Sequence, residues 1–265
     1  MFTLMVTPGN LASRGFPILF ADSMLVNDIA SRMTATMKRI FSHISRVNLW
    51  QSNESVSGRG SELECTAAIR AKLPALIEKF NITSILDAPC GDFNWMQHLP
   101  QAHQAYVGMD IVSDVIEQNQ QRYGADRIQF KVGDITKDPL PKVDLILCRD
   151  CLVHLSLWDI SCALKQLKLS GAQYLLTTTY PNTAVNPDSP TGSWRSLNLS
   201  LPPFNFPAPL ELLADPSDDT QMNPDKSLGL WKLADITPFT VSRWRSPKLV
   251  LTNFIRNYIN PSWKL

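Results

Sequence analysis

The stretch Ile85-Leu86-Asp87-Ala88-Pro89-Cys90-Gly91-Asp92-Phe93-Asn94-Trp95 decides the fold. An apolar run ends on a carboxylate, passes through a tight turn and leads into DFNWMQHL, which reads as a short helix. A strand that hands over to a helix in this way opens a doubly wound sheet, and its ligand sits beyond the strand's carboxyl end. Gly91 can take positive φ and lets a ligand approach the backbone. The N–H groups of the following helix start would offer donors. Only one glycine stands where a G-x-G-x-x-G fingerprint has three, which weighs against a pyrophosphate seat and a nicotinamide-dependent oxidoreductase.

Downstream, the alternation continues. AYVGMDI (105–111) reads as a strand and SDVIEQNQQRYG as a helix. RIQFKVGDI and VDLILCRD read as strands, LSLWDISCALKQLKL as a helix and AQYLLTTTY as a strand. Apolar strands without strict alternation, separated by helices, predict a mostly parallel sheet covered on both faces. Residues 181–209 hold seven of the chain's 19 prolines. A connection this long is expected to be an ordered, functional loop anchored by Trp194, Phe204 and Phe206. PLELLAD and LGLWKLAD read as the last strands, and KLVLTNFIRNYI is an apolar tail segment without a firm place.

Upstream, residues 1–30 read as an irregular arm. The spacing of Met33, Met37, Ile40, Phe41 and Ile44 predicts an amphipathic helix over 31–46. Residues 62–79 predict a second helix, with Ser61 as N-cap and a kink or break at Pro74. The chain is therefore divided into an arm (1–30) and one domain (31–265). Within that domain, 31–80 form a helical cap and lid loop, 81–180 a binding core, and 181–265 an acceptor-side loop, last strands and tail.

Composition bounds the function. The chain has 265 residues, 44% of them hydrophobic and 18% charged, enough apolar content for a sizeable core. The formal net charge is +1 and lysines and arginines form no run, so no nucleic-acid partner is expected. No stretch reaches the roughly 18 apolar residues of a membrane span. Five cysteines without framework spacing suit buried thiols in a reducing cytoplasm. Cys148 and Cys151 form a C-x-x-C, but no second pair completes a zinc site, and no metal is expected.

The strand ends carry the chemistry. Asp110 follows Asp87 by 23 positions and ends the second strand, where a carboxylate can accept both hydroxyls of a ribose. Asp134, in VGDI (132–135), can accept from the exocyclic amine of an adenine. Arg149 and Asp150 end the fourth strand. A helix-capping role is the bland alternative for any one of these carboxylates.

The series LDAPCGDFNW, YVGMDI, VGDI and DLILCRDCLVHLS resembles the class I S-adenosylmethionine-dependent methyltransferases over about residues 80–180. WQSNESVSGRGS (50–61) is similar to a stretch found upstream in one bacterial branch of that superfamily, and WRSLNLSLPPFNFPAPLELL and KSLGLWKLADI to its downstream part. The resemblance implies a seven-stranded, doubly wound sheet of order 3-2-1-4-5-7-6 with strand 7 antiparallel. It implies that Asp87, Ala88, Pro89, Cys90 and Gly91 line the methionine part of S-adenosylmethionine. Asp110 and Ile111 would hold the ribose, Asp134 and Ile135 the adenine, and Arg149 would stand beside the methyl donor. Ala88-Pro89-Cys90 departs from the family's extra glycines.

An acceptor hydroxyl needs a base, and the candidates are Asp150, as base or acceptor anchor, and His154. His154 has a packing role as its alternative. Trp50, Glu54, Ser55 and Ser57 are expected to form a lid or acceptor wall. Tyr180, Asn182, Trp194 and Arg195 should face the acceptor, with Arg195 a candidate for an anionic group. An N-P-P-Y signature of amino-directed DNA methylation is absent after the fourth strand. The expected reaction is O-methylation of a small-molecule acceptor, a sugar or surface-glycan precursor. Rival readings are a protein or nucleic-acid methyltransferase and a non-catalytic module that keeps the cofactor pocket.

Overall fold

The computed structural model describes residues 37–99, 105–216 and 223–241. The expected arm, the first turns of the 31–46 helix and the KLVLTNFIRNYI segment lie outside these residues. Seven strands form one sheet: β1 (Ser84–Asp87), β2 (Ala105–Asp110), β3 (Ile128–Val132), β4 (Leu145–Cys148), β5 (Tyr174–Thr179), β6 (Glu211–Ala214) and β7 (Ser227–Lys232). Their order is β3-β2-β1-β4-β5-β7-β6. The pairs β1/β2, β1/β4, β2/β3 and β4/β5 are parallel, and β7 runs antiparallel to both β5 and β6. The order and the single reversed strand are those the sequence implies.

The central strands are apolar because both faces of the sheet are covered. All four residues of β4 are buried. One face collects Ile85, Leu145, Leu147 and Leu176 with Ile69, Leu73 and Leu76 of α2 (Ala67–Lys79) and Ile116 of α3 (Ser113–Tyr123). The other collects Leu86, Ile146, Cys148 and Leu175 with Ile160, Leu164 and Leu167 of α4 (Leu157–Leu169). Consecutive residues alternate between the two layers, as a pleated strand requires. Ser156 caps α4: its Oγ accepts from Asp159 N at 3.2 Å. A further helix, α1, is described over 37–46, where Met37, Ile40 and Ile44 are buried.

Two helix boundaries differ from the sequence reading. The second predicted helix begins at Ala67, not after Ser61, and runs unbroken through Pro74. Residues 59–61 form a 3₁₀ turn instead. The residues between are tied to the loop before them: Glu62 Oε1 accepts from Ser52 Oγ at 2.8 Å, and Leu63 N donates to Glu54 Oε1 at 2.8 Å. Likewise DFNWMQHL supplies only a 3₁₀ turn, Met96–His98. Phe93 takes φ +60 and Asn94 Nδ2 donates to Ser61 O at 3.0 Å, so the chain turns before it can coil.

The proline-rich connection is ordered through its own side chains. Leu197, Leu199, Phe204 and Phe206 are buried in the α4-side core. Asn198 N donates to Asn186 Oδ1 at 2.9 Å, and Asn198 Nδ2 reaches Pro181 O at 2.8 Å. Trp194 departs from its expected role as an anchor and is 47% exposed.

Ile146 has no exposed surface and sits in the strand adjoining the switch between β1 and β4. Ile146→Ala should therefore cost about 2–5 kcal/mol in urea unfolding, through lost transfer energy and the cavity left behind. A loss below about 1 kcal/mol would contradict this packing.

Candidate functional site

The order of strands reverses between β1 and β4, and the ligand crevice of such a sheet opens at their carboxyl ends. A cavity of about 560 Å³ lies there, of the size that small-ligand sites use. Asp87, Asp110, Asp134, Arg149 and Asp150 all line it.

Its β1–β3 half is acidic, and among the described residues no cation pairs with its carboxylates. Asp87 accepts from Tyr106 Oη at 2.7 Å. Burial pushes the Asp87 carboxyl up to about 7, and the Tyr106 hydroxyl only partly offsets this. Asp110 receives Gly91 N on one oxygen at 3.1 Å and Val112 N on the other at 2.9 Å. Burial raises its proton affinity too, against the pull of these backbone donors. Asp134 Oδ1 accepts from Thr136 N at 2.9 Å and from Thr136 Oγ1 at 2.6 Å. Its Oδ2 is buried with no hydrogen-bond partner. An orphaned carboxylate oxygen at a cavity wall is costly unless a ligand supplies the donor.

Gly91 shows how close the turn is packed. Its φ is +54, and a Cβ there would lie 2.0 Å from Ser57 Oγ. The turn's N–H groups point inward: Gly91 N serves Asp110, and Asp92 N donates to Ser57 Oγ at 3.3 Å. They are not the free helix-start donors expected from the sequence. Pro89, Cys90, Ile111 and Ile135 also line the cavity. Ala88 does not: it is fully buried in the core behind the turn.

The 50–61 loop forms one wall. Asp92 fastens it, accepting Ser55 Oγ at 2.8 Å, Val56 N at 2.9 Å and Ser57 Oγ at 3.3 Å. Trp50 and Ser57 line the cavity, as expected. Glu54 and Ser55 do not. Glu54 spends its carboxylate on Leu63 N and Asn94 Nδ2, and Ser55 is buried against Asp92.

The β4–β7 half is a web of balanced charge. Arg149 grips Asp215 through Nε at 2.9 Å and Nη2 at 3.0 Å. Its Nη1 lies 3.3 Å from Asp150 Oδ2. Lys226 Nζ is 2.7 Å from Asp150 Oδ2 and 3.2 Å from Asp215 Oδ2. Burial alone would raise the Asp150 proton affinity, but Lys226 and Arg149 more than reverse that and hold it well below the usual carboxylate range. Asp150 is thus a fixed anion, a weak base and a good hydrogen-bond acceptor.

His154 stands nearby with the opposite character. Its Nδ1 lies 3.0 Å from Ser193 O, and a carbonyl only accepts, so Nδ1 carries the proton. Nε2 is then the basic nitrogen. Burial holds the imidazole below its ordinary value, against the pull of Asp150. The Trp50 ring packs on it with centroids 5.1 Å apart. Tyr180 and Trp194 face each other at the same cavity, 6.0 Å between centroids.

Two expected acceptor residues lie elsewhere. Asn182 is outside the cavity, its N donating to Asp225 Oδ2 at 2.6 Å. Arg195 is also outside it, with Nε on Pro187 O at 3.0 Å and Nη1 on Val153 O at 3.1 Å. Two of its nitrogens are held by carbonyls, and its Nη2 is buried without a hydrogen-bond partner. Lys226 and Asp215 were not singled out by sequence. Asp215 follows a strand, as the others do, but Lys226 meets Asp150 across 76 positions and no local pattern announces that. Among the described residues no group of three or more His, Cys, Asp or Glu residues forms a metal site.

Residues 85–169 match a family model described as a methyltransferase domain. No curated protein matches the sequence. Among solved structures, human N-acetylserotonin methyltransferase in complex with SAM is similar at 19% identity, covering 44% of this chain and 35% of that one, with a TM-score of 0.38. Magnesium protoporphyrin IX methyltransferase from Synechocystis, with bound SAH, is 19% identical, with 44% and 58% covered and a TM-score of 0.36. The methyltransferase domain of a bacterial CtHen1 is 13% identical, with 63% and 99% covered and a TM-score of 0.48. The chain spans little more than a third of the first of these and little more than half of the second. The matched residues run from β1 through α4, and the sheet has the strand order that the resemblance of the sequence to class I methyltransferases implies.

The raised Asp87 carboxyl has a measurable consequence. A buried group lifted from 3.8 to about 7 contributes stability that is present below pH 3.8 and lost as pH rises through 7. A cationic ligand placed beside it favours the ionised form. Binding of S-adenosylmethionine should then release a proton near pH 6.5 and tighten toward pH 8. Calorimetry in two buffers of different ionisation enthalpy reads this directly, and proton-neutral binding would remove Asp87 from the contact.

Proposed function

We propose that this chain binds S-adenosylmethionine in the acidic half of the cavity and methylates a hydroxyl of a small acceptor in the other half. The observation that carries the reading is the division of one cavity. Three strand-end carboxylates, without ion pairs among the described residues, line one side, and a neutral, oriented imidazole lines the other.

The residues fit the cofactor. Asp134 Oδ2, buried and unpartnered, suits the adenine amine, and the adjoining Ile135 suits the ring face. Asp110, buried at the end of β2, suits the ribose hydroxyls. Asp87 with Pro89, Cys90 and Gly91 suits the methionine part, whose ammonium an ionised Asp87 would attract. The bound cofactor supplies an electrophilic sulfonium methyl.

The protein's own work is alignment and proton removal. The acceptor O–H gives its proton to His154 Nε2 as the oxygen forms its bond to the methyl carbon. Held by Asp87, Asp110 and Asp134, the cofactor would supply that methyl and keep the electron pair of the broken carbon–sulfur bond. Asp150 anchors a neighbouring hydroxyl of the acceptor rather than taking the proton, because its ion pairs leave it a poor base. Trp50, Trp194 and Tyr180 offer ring faces of the kind that pack on a sugar, which supports a sugar or glycan precursor as acceptor. Cys90, Cys148 and Cys151 are buried free thiols, which suits a reducing cytoplasm.

The test is incubation with methyl-labelled S-adenosylmethionine and a metabolite extract, followed by mass identification of the labelled product. His154→Gln should lower the labelling rate by about 10²–10⁴-fold while cofactor affinity changes less than about threefold. Equal loss of both would assign His154 to packing. Asp110→Ala should weaken cofactor binding more than tenfold, about 1.4 kcal/mol. Unchanged affinity would sink the ribose assignment.

A further inference from the structure

His154 lies close to an anion. Asp150 is four positions earlier, lines the same cavity and bears on the ring electrostatically. An unneutralised carboxylate beside an imidazole favours the protonated ring, and a protonated ring cannot take a proton. Basicity at Nε2 therefore depends on what is done with the Asp150 charge.

Two cations meet that charge from different parts of the fold. Arg149 reaches Asp150 from the preceding residue but directs Nε and Nη2 to Asp215. Lys226 arrives from the residue before β7 and makes the shorter contact, 2.7 Å, from a side chain only 4% exposed. Thr178 Oγ1 donates to the other Asp150 oxygen at 3.2 Å. Burying a lysine is expensive, and this one is not needed to balance Asp215, which Arg149 already holds in a two-pronged grip. Its distinct contribution is to Asp150.

We propose that Lys226 is a positioning residue: by closing Asp150 into an ion pair it leaves the Nε2 lone pair of His154 for the acceptor's proton. The inference rests on the methyltransferase reading for its purpose but not for its physics. The charged groups bearing on the ring are Asp150 from the turn after β4, Lys226 from the start of β7 and Arg195 from the proline-rich loop, the last through Val153 O. The lid contributes the uncharged face of Trp50 and, at the cavity wall, the exposed Arg59. Asp150 alone among these draws a proton onto the ring, and Lys226 touches Asp150 directly.

The test is an NMR titration of the His154 ring in the full chain, which has four histidines, with the signal assigned by its loss in His154→Gln. Lys226→Met should raise the ring's proton affinity about tenfold or more, since one elementary charge even about 12 Å away contributes that much at an effective dielectric near 20. Asp150→Asn should lower it, and the double variant should return toward the parent. A purely structural lysine would lower unfolding stability in Lys226→Met and leave the titration where it was; that result in a folded protein overturns the proposal. If Lys226→Met does not fold, Asp150→Asn decides alone, and an unmoved ring titration overturns it. Calorimetry with S-adenosylmethionine on the parent protein separates the two claims, since absent binding removes the functional reading without touching the ring titration.

Discussion

A carboxylate buried at the end of a parallel strand must have something to accept, and the molecule is organised by the two ways it meets that requirement. At β1, β2 and the turn after β3, the carboxylates are held by hydroxyls and backbone N–H groups, and no ion pair among the described residues reaches them. After β4 and β6, the carboxylates are neutralised by Arg149 and Lys226. The first arrangement leaves accepting capacity, including one bare oxygen on Asp134, for a ligand rich in donors and positive charge. The second closes its charges on one another in the other wall of the cavity. Both follow from a sheet that is covered on both faces and open only at its strand ends.

The lid depends on the same turn. Asp92 lies one residue past Gly91 and gathers Ser55, Val56 and Ser57, while Ser57 fills the space that a side chain at position 91 would need. The glycine is therefore a condition for closing the loop as well as for approaching a ligand. Trp50, at the loop's start, packs on His154 and carries the same loop over to the β4 side of the cavity. One loop thus touches both halves of the cavity.

Much of this was legible in the sequence. Strands buried on both faces show as apolar runs, and an acidic residue at or just past the end of several runs makes the places of Asp87, Asp110, Asp134 and Asp150 legible, while the sheet order is what the family resemblance implies. What escaped reading was anything set by pairing across the chain. The Ser-rich loop has the composition of a solvated linker, yet Asp92 pins it. Glu54 looks available and is consumed by Leu63 and Asn94. Arg195 looks like an anion receptor and gives two of its nitrogens to carbonyls, while Lys226, just before the apolar run of β7, sits in the cavity wall. Helix starts are misplaced for the same reason: Glu62, Leu63, Asp92 and Asn94 are bonded to the 50–61 loop.

The central claim is that the orphaned oxygen of Asp134 and the carboxylate of Asp110 receive the nucleoside of the cofactor. A crystal structure of the chain with S-adenosylhomocysteine tests it most directly. The account predicts the adenine amine within hydrogen-bond distance of Asp134 Oδ2, the ribose hydroxyls on Asp110, and the sulfur facing His154 across the cavity. A nucleoside seated elsewhere, or Asp134 Oδ2 still without a donor in the complex, would contradict it.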